Sequence, residues 1–410
     1  MDIPGLPARR AALRLLDAVL RRGETLDLAA HGALQGIRVD ADRALARALA
    51  GEALRWLVDL DALIDSATRQ VLPDDAKARS VLRLMLAGWL RLETPPHAVI
   101  ATALPLLVGG PKRLAHGVFS TLVKRTARLP DAPTLPGVVA GRWGPRAEAI
   151  AAAIAVPPPL DLVLKHPAET DAWCATLGGM SLMPGQVRLP RGDMVERMTG
   201  FAAGDWWVQD LAASLPARLL GPGEGRRVLD LCAAPGGKTL QLAAAGWRVT
   251  ALDLHARRLD RLRANLERTG LAATIVQADA LDWQGDEPFD AVLLDAPCTA
   301  TGTCRRHPDV LHRIAPGHIH DMAELQARMI AHAASLLAPG GRLVYAVCSL
   351  ERAEGEEQAA RVALTPDPIG SDELPQGLLP TPEGWLRTDP AMLGEAGGLD
   401  GFFIARWRAP

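Results

Sequence analysis

The sequence is poor in the residues that hold small proteins together covalently or through a metal ion. It has five cysteines, and none of them stands in a Cys-x-x-Cys pair or in a histidine–cysteine cluster with zinc-finger spacing. A disulfide framework and a metal site are therefore not expected, and the thiols should be reduced. Uninterrupted apolar runs of about 18 residues are also missing, which argues against a membrane span. The first residues, MDIPGLPARR, lack the basic-then-apolar layout of a signal peptide, and we expect a cytoplasmic protein.

Lysine is scarce as well, with 5 lysines beside 40 arginines. The formal net charge of −2 over 410 residues gives no hint of an anionic partner. The charges are unevenly divided, however: residues 1–130 carry 19 basic and 13 acidic side chains, and residues 131–410 carry 26 and 34. A basic N-terminal part is typical of a nucleic-acid-binding module joined to a domain with another task. Genomic base composition alone can explain the arginine excess, although arginine is the better phosphate ligand.

Residues 1–130 have the periodicity of helices. Leucines recur at helical spacing, first at Leu13, Leu16 and Leu20. Comparable stretches follow at 41–64, 77–92, 97–107 and 112–125. The segment PHAVIATALPLLVGGPKRLAHGVFSTLVKR, residues 96–125, resembles part of the NusB-like all-helical RNA-binding domain. A bundle that serves only as a packing module is the alternative.

The middle of the chain changes in composition. Proline and glycine become dense from Leu129 to Pro159, which indicates a linker with a short alanine-rich helix. Two strand-like runs follow, LDLVLK at 160–165 and QVRLP at 186–190. Trp206 and Trp207 come next. They could stack on bases, but burial in a core is the better interpretation.

The C-terminal 200 residues alternate between strands and helices. The predicted strands are Arg227–Leu231, Arg248–Leu254, Ala273–Gln277, Ala291–Leu294 and Leu343–Val347. The predicted helices between them are Thr239–Ala245, Arg257–Thr269 and Met322–Leu337. This alternation predicts an α/β Rossmann-like domain with a mostly parallel sheet. Ligands of such sheets bind at the carboxyl ends of the strands.

Three of these strand ends carry features that suit a nucleoside cofactor. Cys232-Ala-Ala-Pro-Gly-Gly-Lys238 follows the first strand and matches neither the P-loop nor the dinucleotide Gly-x-Gly-x-x-Gly pattern. Asp253 follows the second strand, where a carboxylate can accept hydrogen bonds from ribose hydroxyls. Asp279 follows the third strand and is placed to contact an adenine edge. Together they predict an adenosine-bearing cofactor.

Two cysteines follow the next two strands. Asp295-Ala-Pro-Cys298 comes after the fourth strand and Tyr345-Ala-Val-Cys348 ends the fifth. A structural cysteine usually packs inside a strand, so a pair at ligand-facing ends indicates chemistry. A thiolate is a strong nucleophile and a good leaving group, which suits covalent catalysis.

These segments carry a family resemblance. LDLCAAPGGKT (229–239), DAPCTATGTCRRHPD (295–309), YAVCSL (345–350) and DGFFIARW (400–407) resemble the Sun/NOL1/NOP2 family of RNA cytosine-C5 methyltransferases. The likeness is specific over 204–410, and the order of the earlier segments favours the bacterial ribosomal-RNA branch. It implies a multidomain protein: an all-helical NusB-like RNA-binding domain (1–130), a linker with a small α/β RNA-binding subdomain (131–203) and a methyltransferase domain (204–410).

The resemblance also implies a cofactor, a partner and roles. The cofactor is S-adenosyl-L-methionine, and the substrate is a single-stranded or opened cytosine of ribosomal RNA, bound by a monomer. Cys348 attacks C6 of the base, Cys298 assists breakdown of the adduct, and Asp295 holds the N3/N4 edge. The expected cofactor-binding residues are Cys232, Ala233, Ala234, Pro235, Gly236, Gly237, Lys238, Asp253, Asp279 and Asp295.

The residues alone leave several alternatives open. DNA cytosine methyltransferases use a Pro-Cys after their fourth strand, which would favour Cys298 as the nucleophile. Arg305 and Arg306 follow the catalytic loop and are candidates for RNA phosphate contacts. Cys304 is expected to have no catalytic role, and Cys232 to be positional.

The sequence departs from the family pattern at two positions, and two other functions are alternatives to this prediction. Val347 stands where the family usually has threonine, and Gly355 where it has asparagine. A non-catalytic RNA-binding or assembly factor on the same scaffold is the alternative function, although the intact cysteine pair speaks against it. A nicotinamide-dependent oxidoreductase would need the missing Gly-x-Gly-x-x-Gly pattern.

Overall fold

The computed structural model describes residues 3–190, 192 and 194–410, which form two compact units. Unit 1 consists of Met1–Val156 together with Cys304–Ile314. Unit 2 consists of Pro157–Thr303 together with Ala315–Pro410. In the described part of the chain, no helix is long and apolar enough to cross a bilayer.

Unit 1 is helical because its alanine- and leucine-rich stretches bury one face of each helix. Leu15, Leu49, Leu82 and Phe119 belong to one continuous core. The helices are α1 (Leu6–Arg22), α2 (Leu26–Ala33), α3 (Asp40–Arg55), α4 (Leu57–Ser66), α5 (Lys77–Leu90), α6 (Pro96–Ala103), α7 (Gly109–Lys124), α8 (Gly137–Trp143), α9 (Ala147–Ile154) and α14 (Val310–Arg313). The stretch predicted at 41–64 is two helices, divided at Trp56, and α2 was not predicted.

The segment Cys304–Ile314 belongs to unit 1 although the chain on both sides of it lies in unit 2. Arg55 Nη2 donates to the carbonyl of Arg305 at 2.9 Å, and the Leu26 amide donates to Asp309 Oδ2 at 3.3 Å. His312 Nε2 lies 2.6 Å from the carbonyl of Leu54. The segment is thus a structural part of the helical unit.

The two units do not follow the three ranges that the family resemblance implies, 1–130, 131–203 and 204–410, which stay a prediction. Unit 1 continues to residue 156 because α8 and α9 pack with the earlier helices. Arg55 Nη1, for example, donates to the carbonyl of Ile154 at 2.8 Å. The strands predicted at 160–165 and 186–190 lie in unit 2.

Unit 2 contains a small antiparallel sheet of order β2-β1-β3, formed by β1 (Leu160–Leu164), β2 (Gln186–Leu189) and β3 (Trp206–Val208). Helix α10 (Thr170–Leu177) packs beside it. Trp206 and Trp207 are buried, which confirms a packing role. Asp161 is also buried, and Arg188 donates to both of its carboxylate oxygens at 2.7 Å.

The larger sheet has the order β10-β11-β8-β7-β4-β5-β6, and β9 pairs with β11. Its strands are β4 (Arg227–Leu231), β5 (Arg248–Asp253), β6 (Thr274–Gln277), β7 (Phe289–Asp295), β8 (Leu337–Val347), β9 (Thr365–Pro366), β10 (Leu386–Arg387) and β11 (Phe403–Arg408). The helices of the unit outside the small sheet are α11 (Leu211–Arg218), α12 (Gly237–Ala244), α13 (Ala256–Thr269), α15 (Pro316–Ser335) and α16 (Glu356–Ala359).

Strands β4 to β8 are parallel, which confirms the predicted α/β Rossmann-like domain. Their apolar runs are buried on both faces of the sheet, in two clusters of the core. The antiparallel strand β11 was not predicted. It pairs with β8 from Phe403 opposite Val347 to Arg408 opposite Arg342, and so covers the edge of the parallel set.

The buried pair of Asp161 and Arg188 generates a stability prediction. Asp161→Ala removes the carboxylate and leaves the Arg188 guanidinium, which is 3% exposed, without its charge partner. We expect a loss of about 3–5 kcal/mol of unfolding free energy, the usual cost of breaking a buried ion pair from one side. Denaturant unfolding measures it, with the exposed Asp171→Ala as the matched control. Equal midpoints for the two variants would contradict the assignment.

Candidate active site

The loop after β4 is built for close approach. Gly236 has a φ of 110°, and a Cβ there would come within 2.4 Å of Leu262 Cδ1 on α13. Only glycine adopts this conformation without strain and also leaves that space free. The loop, which joins β4 to α12, is therefore packed tightly against α13, and Gly237 begins α12.

Asp253 ends β5 beside this loop. Its carboxylate is 2% exposed and accepts hydrogen bonds from the amides of Ala234, at 3.2 Å, and His255, at 3.0 Å. Arg258 forms an ion pair with it at 3.2 Å and donates to the carbonyl of Ala234. Asp253, which was predicted to bind the cofactor, is thus held in place by hydrogen bonding to the loop after β4.

Asp230 was missed by the sequence interpretation, although a carboxylate inside an apolar strand is a signal. It lies within β4 with no exposed surface, and the Thr239 hydroxyl donates to its Oδ2 at 2.6 Å. Among the residues that the structure describes, none donates to its Oδ1. Burial raises the pKa of the Asp230 carboxyl to about 7, and the negative charges of Asp295 and Asp253 add to that effect.

Lys238 and Asp295 join the β4 loop to the end of β7. Lys238 Nζ lies 2.7 Å from Asp295 Oδ2, and the ammonium group lies 5.5 Å from the ring centre of Phe402. Burial disfavours the ammonium ion, but the Asp295 carboxylate outweighs that effect and raises the pKa of Lys238. The charge of Cys348 acts in the same direction, so Lys238 is a stable cation near that sulfur.

The two predicted catalytic sulfurs are in contact. Strands β7 and β8 are parallel neighbours with Asp295 opposite Ala346, so both chains leave the sheet at the same level. Cys298 Sγ and Cys348 Sγ lie 3.5 Å apart, within hydrogen-bonding distance for thiols. The structure therefore brings together the cysteines that the sequence placed after adjacent strands.

The thiols differ in their surroundings. The hydrogen bond to Cys348, together with burial and the charges of Cys348 and Glu354, raises the pKa of Cys298 well above its usual value. The Cys298 thiol therefore keeps its proton near neutral pH. Burial raises the pKa of the Cys232 thiol to about 12, which agrees with a positional role. Cys304 is fully buried in unit 1.

Glu354 was also missed as a functional residue. It has no exposed surface, and it accepts hydrogen bonds from Thr299 next to Cys298 and from Ser349 next to Cys348. Gln326 on α15 donates to the same carboxylate and to the carbonyl of Pro297. An acidic residue shortly after a predicted catalytic cysteine was the available signal.

The remaining predicted residues, Asp279, Arg305 and Arg306, differ in how exposed they are. Asp279 lies after β6, is exposed, and accepts a hydrogen bond from the Leu281 amide at 2.9 Å. Among the described residues, Asp279 forms no hydrogen bond or ion pair with Lys238 or Asp295. The prediction that Arg305 binds RNA phosphate is wrong, because its side chain is 1% exposed within unit 1. Arg306 is half-buried.

The two departures from the family pattern have local explanations. Val347 is buried in the core of the sheet, where a methyl group packs as well as a hydroxyl. A Cβ at Gly355 would come within 2.4 Å of Arg387 Nη2. Arg387 uses that space to pair with Glu356 at 2.7 Å and to donate to the carbonyl of Ser349. The arginine thus occupies space that a larger residue at position 355 would need.

The parallel sheet and its β4 loop, with acidic side chains after the following strands, define a methyltransferase that uses S-adenosylmethionine. The sequence profile of the family described as 16S rRNA methyltransferase RsmB/F matches residues 217–408, and that of the NusB family matches residues 6–108. The chain belongs to the 16S rRNA methyltransferase RsmB/F family and is an rRNA methyltransferase.

Individual relatives agree with this assignment. The chain is 36% identical over 381 residues to the ribosomal RNA small subunit methyltransferase B of Xanthomonas campestris, covering 86% of this chain and 87% of that protein. It is 35% identical over 429 residues to the protein of the same name from Xylella fastidiosa, covering 98% of each. The crystal structure of PH0851 superposes with a TM-score of 0.74 at 22% identity over 99% of both chains, which supports the fold.

The residues present fit S-adenosylmethionine. This cofactor carries an ammonium group, ribose hydroxyls and an adenine amino group, all of which are hydrogen-bond donors. The matching acceptors are Asp253 and Asp279 after β5 and β6, and the buried Oδ1 of Asp230, to which no described residue donates. A buried acceptor of this kind needs a partner, and a donor group of the cofactor would be one.

Asp230 generates a pH prediction. Its pKa in the folded protein, about 7, lies above its usual 3.8, so the folded state holds the proton more tightly than the unfolded chain. The stabilisation that the protonated Asp230 carboxyl gives the folded state is fully present below pH 3.8 and is lost as the pH rises through about 7. Asp230→Asn removes that loss. Its unfolding free energy relative to the parent protein should rise with pH by up to roughly 4 kcal/mol and level off above neutrality.

Unfolding midpoints of the two proteins, measured from pH 5 to 8, test this expectation. The matched control is Asp286→Asn, since Asp286 is exposed. A difference between Asp230→Asn and the parent that stays constant over this range would contradict the raised pKa.

Proposed function

We propose that this enzyme methylates C5 of a cytosine in small-subunit (16S) ribosomal RNA through a covalent bond between Cys348 and C6 of the base. The observation that carries the proposal is the 3.5 Å contact between the sulfurs of Cys298 and Cys348 at the ends of neighbouring parallel strands. A methyltransferase acting on a nucleophilic nitrogen or oxygen needs no thiol. Cytosine C5 is a poor nucleophile and needs one.

Cys348 is the better candidate for the attacking thiolate. It lies near the buried ammonium group of Lys238, whereas the raised pKa of Cys298 keeps that other thiol protonated. Attack on C6 forms the S–C6 bond and moves the electrons of the C5–C6 double bond toward C5 and the ring. When bound, S-adenosylmethionine supplies the electrophilic methyl group that C5 takes up.

Cys298 is suited to finish the reaction. The hydrogen bond to Cys348 is the largest cause of the raised pKa of Cys298. When Cys348 becomes a neutral thioether, that cause is gone and Cys298 loses its proton more readily. Its thiolate then takes the proton from C5. The C5–H electrons restore the double bond and expel the Cys348 thiolate.

Asp295 and Lys238 act on the base as a pair. The carboxylate of Asp295 is 31% exposed and fixed by Lys238, so it is free to accept a hydrogen bond from the exocyclic amino group of cytosine. If a proton is held on N3 at this edge, the ring accepts electrons more easily during attack. Asp253 is assigned to the ribose and Asp279 to the adenine of the cofactor.

The properties of the helical unit favour RNA as the substrate. Its match to the NusB family and the net positive charge of residues 1–130 suit contact with a phosphate backbone. The base must be unpaired or flipped out, because both faces of its C5–C6 edge are used. We propose that a single chain performs the reaction in the cytoplasm.

The substrate is tested by mapping 5-methylcytosine. Deleting the gene should remove one 5-methylcytosine from bisulfite-sequenced 16S ribosomal RNA, and expression of the parent protein should restore it. Expression of Cys174→Ala should restore it equally, because Cys174 lies on α10 away from the sheet ends described above. An unchanged methylation map in the deletion strain would sink the proposal.

The roles of the two cysteines are tested by trapping the adduct. Cys298→Ala should accumulate a protein–RNA adduct that survives denaturation, since attack proceeds and release is blocked. Cys348→Ala should form none and should lower the single-turnover rate by at least about 10³-fold. Denaturing gels with labelled RNA measure both, with Cys174→Ala as control. The opposite pattern would exchange the two roles.

A further inference from the structure

The contact between the two sulfurs depends on groups beside them. Cys298 and Cys348 lie on separate loops, 50 residues apart in the sequence. The residue after each cysteine, Thr299 or Ser349, is buried and directs its hydroxyl to the Glu354 carboxylate. One side chain is therefore bonded to both cysteine loops, immediately next to the reacting residues.

The bonds to this carboxylate use both of its oxygens. Oε1 accepts from the Thr299 amide at 2.9 Å and from Gln326 Nε2 at 3.0 Å. Oε2 accepts from the hydroxyls of Thr299 and Ser349. Gln326 also donates to the carbonyl of Pro297 at 2.9 Å, so α15 holds the loop on the other side of Cys298.

The position of Glu354 itself is fixed. The Tyr345 hydroxyl donates to the Glu354 carbonyl at 2.6 Å, and Tyr345 lies within the central strand β8. Thr301 reinforces the link between the loops, because its hydroxyl accepts from the Leu350 amide at 2.9 Å. The Glu354 carboxylate is thus a rigid attachment point between two loops.

We propose that Glu354 is a positioning residue of this enzyme: by binding Thr299 and Ser349 together, its carboxylate holds the sulfurs of Cys298 and Cys348 at contact distance. The role in catalysis rests on the two-cysteine reaction proposed above. A sulfur that has moved from this position is badly placed for attack on C6 or for removal of the proton from C5. Small displacements are costly in such steps.

Disulfide formation measures the sulfur–sulfur distance without RNA. Diamide takes up one electron and one proton from each thiol as the S–S bond forms, and the rate depends on the sulfurs reaching bonding geometry. The full-length protein is treated with diamide, and the peptide linking Cys298 to Cys348 is quantified by mass spectrometry. Peptides containing Cys174, Cys232 or Cys304 report non-specific oxidation.

Four variants make the test specific. Glu354→Ala should form the disulfide about tenfold more slowly than the parent, because four buried donors lose their acceptor. Ser349→Ala removes one of the four bonds to the Glu354 carboxylate, together with the bond that the hydroxyl accepts from the Glu351 amide, and should slow it about threefold. Glu354→Gln keeps one carbonyl oxygen and should lie within about threefold of the parent. The exposed Glu357→Gln is the matched control and should equal the parent.

Kinetics separate positioning from a general loss of structure. Glu354→Ala should keep its dissociation constant for S-adenosylmethionine within about twofold and lose at least about tenfold in single-turnover methyl transfer to 16S rRNA. Glu354→Gln should recover most of that loss. If Glu354→Ala does not fold, the rates of Ser349→Ala decide.

Parent-like disulfide rates in the folded Glu354→Ala and Ser349→Ala proteins would overturn the proposal. The oxidation assay needs no RNA. A protein with the expected Glu354 dependence that methylates no cytosine would therefore contradict the proposed function and leave the positioning role standing.

Discussion

The parallel pairing of β7 with β8 is the constraint on which the reaction centre depends. Asp295 pairs with Ala346, so Cys298 and Cys348 emerge three and two residues later at the same edge of the sheet. A shift of one residue in this register would turn the side chains of a strand to the opposite face. The antiparallel strand β11 covers the far side of β8 from Arg342 to Val347, the half of the strand that leads to Cys348. Catalytic spacing is in this sense a property of the sheet.

The electrostatic properties of the sheet edge follow from the burial of its charged groups. Lys238 is a buried cation among acidic groups, with Asp295 at 2.7 Å and with Asp230 and the Cys348 sulfur near enough to influence its pKa. In a site of low dielectric, the position of one proton changes the neighbouring equilibria strongly. In the reaction proposed above, the charges of Lys238 and Asp295 are already in place near Cys348 before the base arrives.

Much of this site could be predicted from the sequence, because parallel strands place their carboxyl ends together. Cys298, Cys348 and Asp253 were found by that rule. Asp230 and Glu354 were not, since the burial of a carboxylate is decided by the packing around it. Thr239, which binds Asp230, lies on the next helix, and Thr299, which binds Glu354, lies 55 residues away on another loop. Arg305 was misjudged for the same reason: its position after the catalytic loop suggested exposure, but the chain enters unit 1 there. Strand β11 was not predicted because its six residues, Phe403–Arg408, have only a short apolar run interrupted by Arg406, too little to show a characteristic period.

The route of the chain through residues 304–314 bears on how such a protein can change over evolutionary time. A helical module that was simply fused to an enzyme could be lost by a single cut between their genes. Here, the segment that follows the cysteine loop finds its hydrogen-bond partners at Leu26, Leu54 and Arg55. A deletion of the module would strip an internal stretch of the enzyme of those partners, so the two parts are inherited together unless that stretch is rewritten as well.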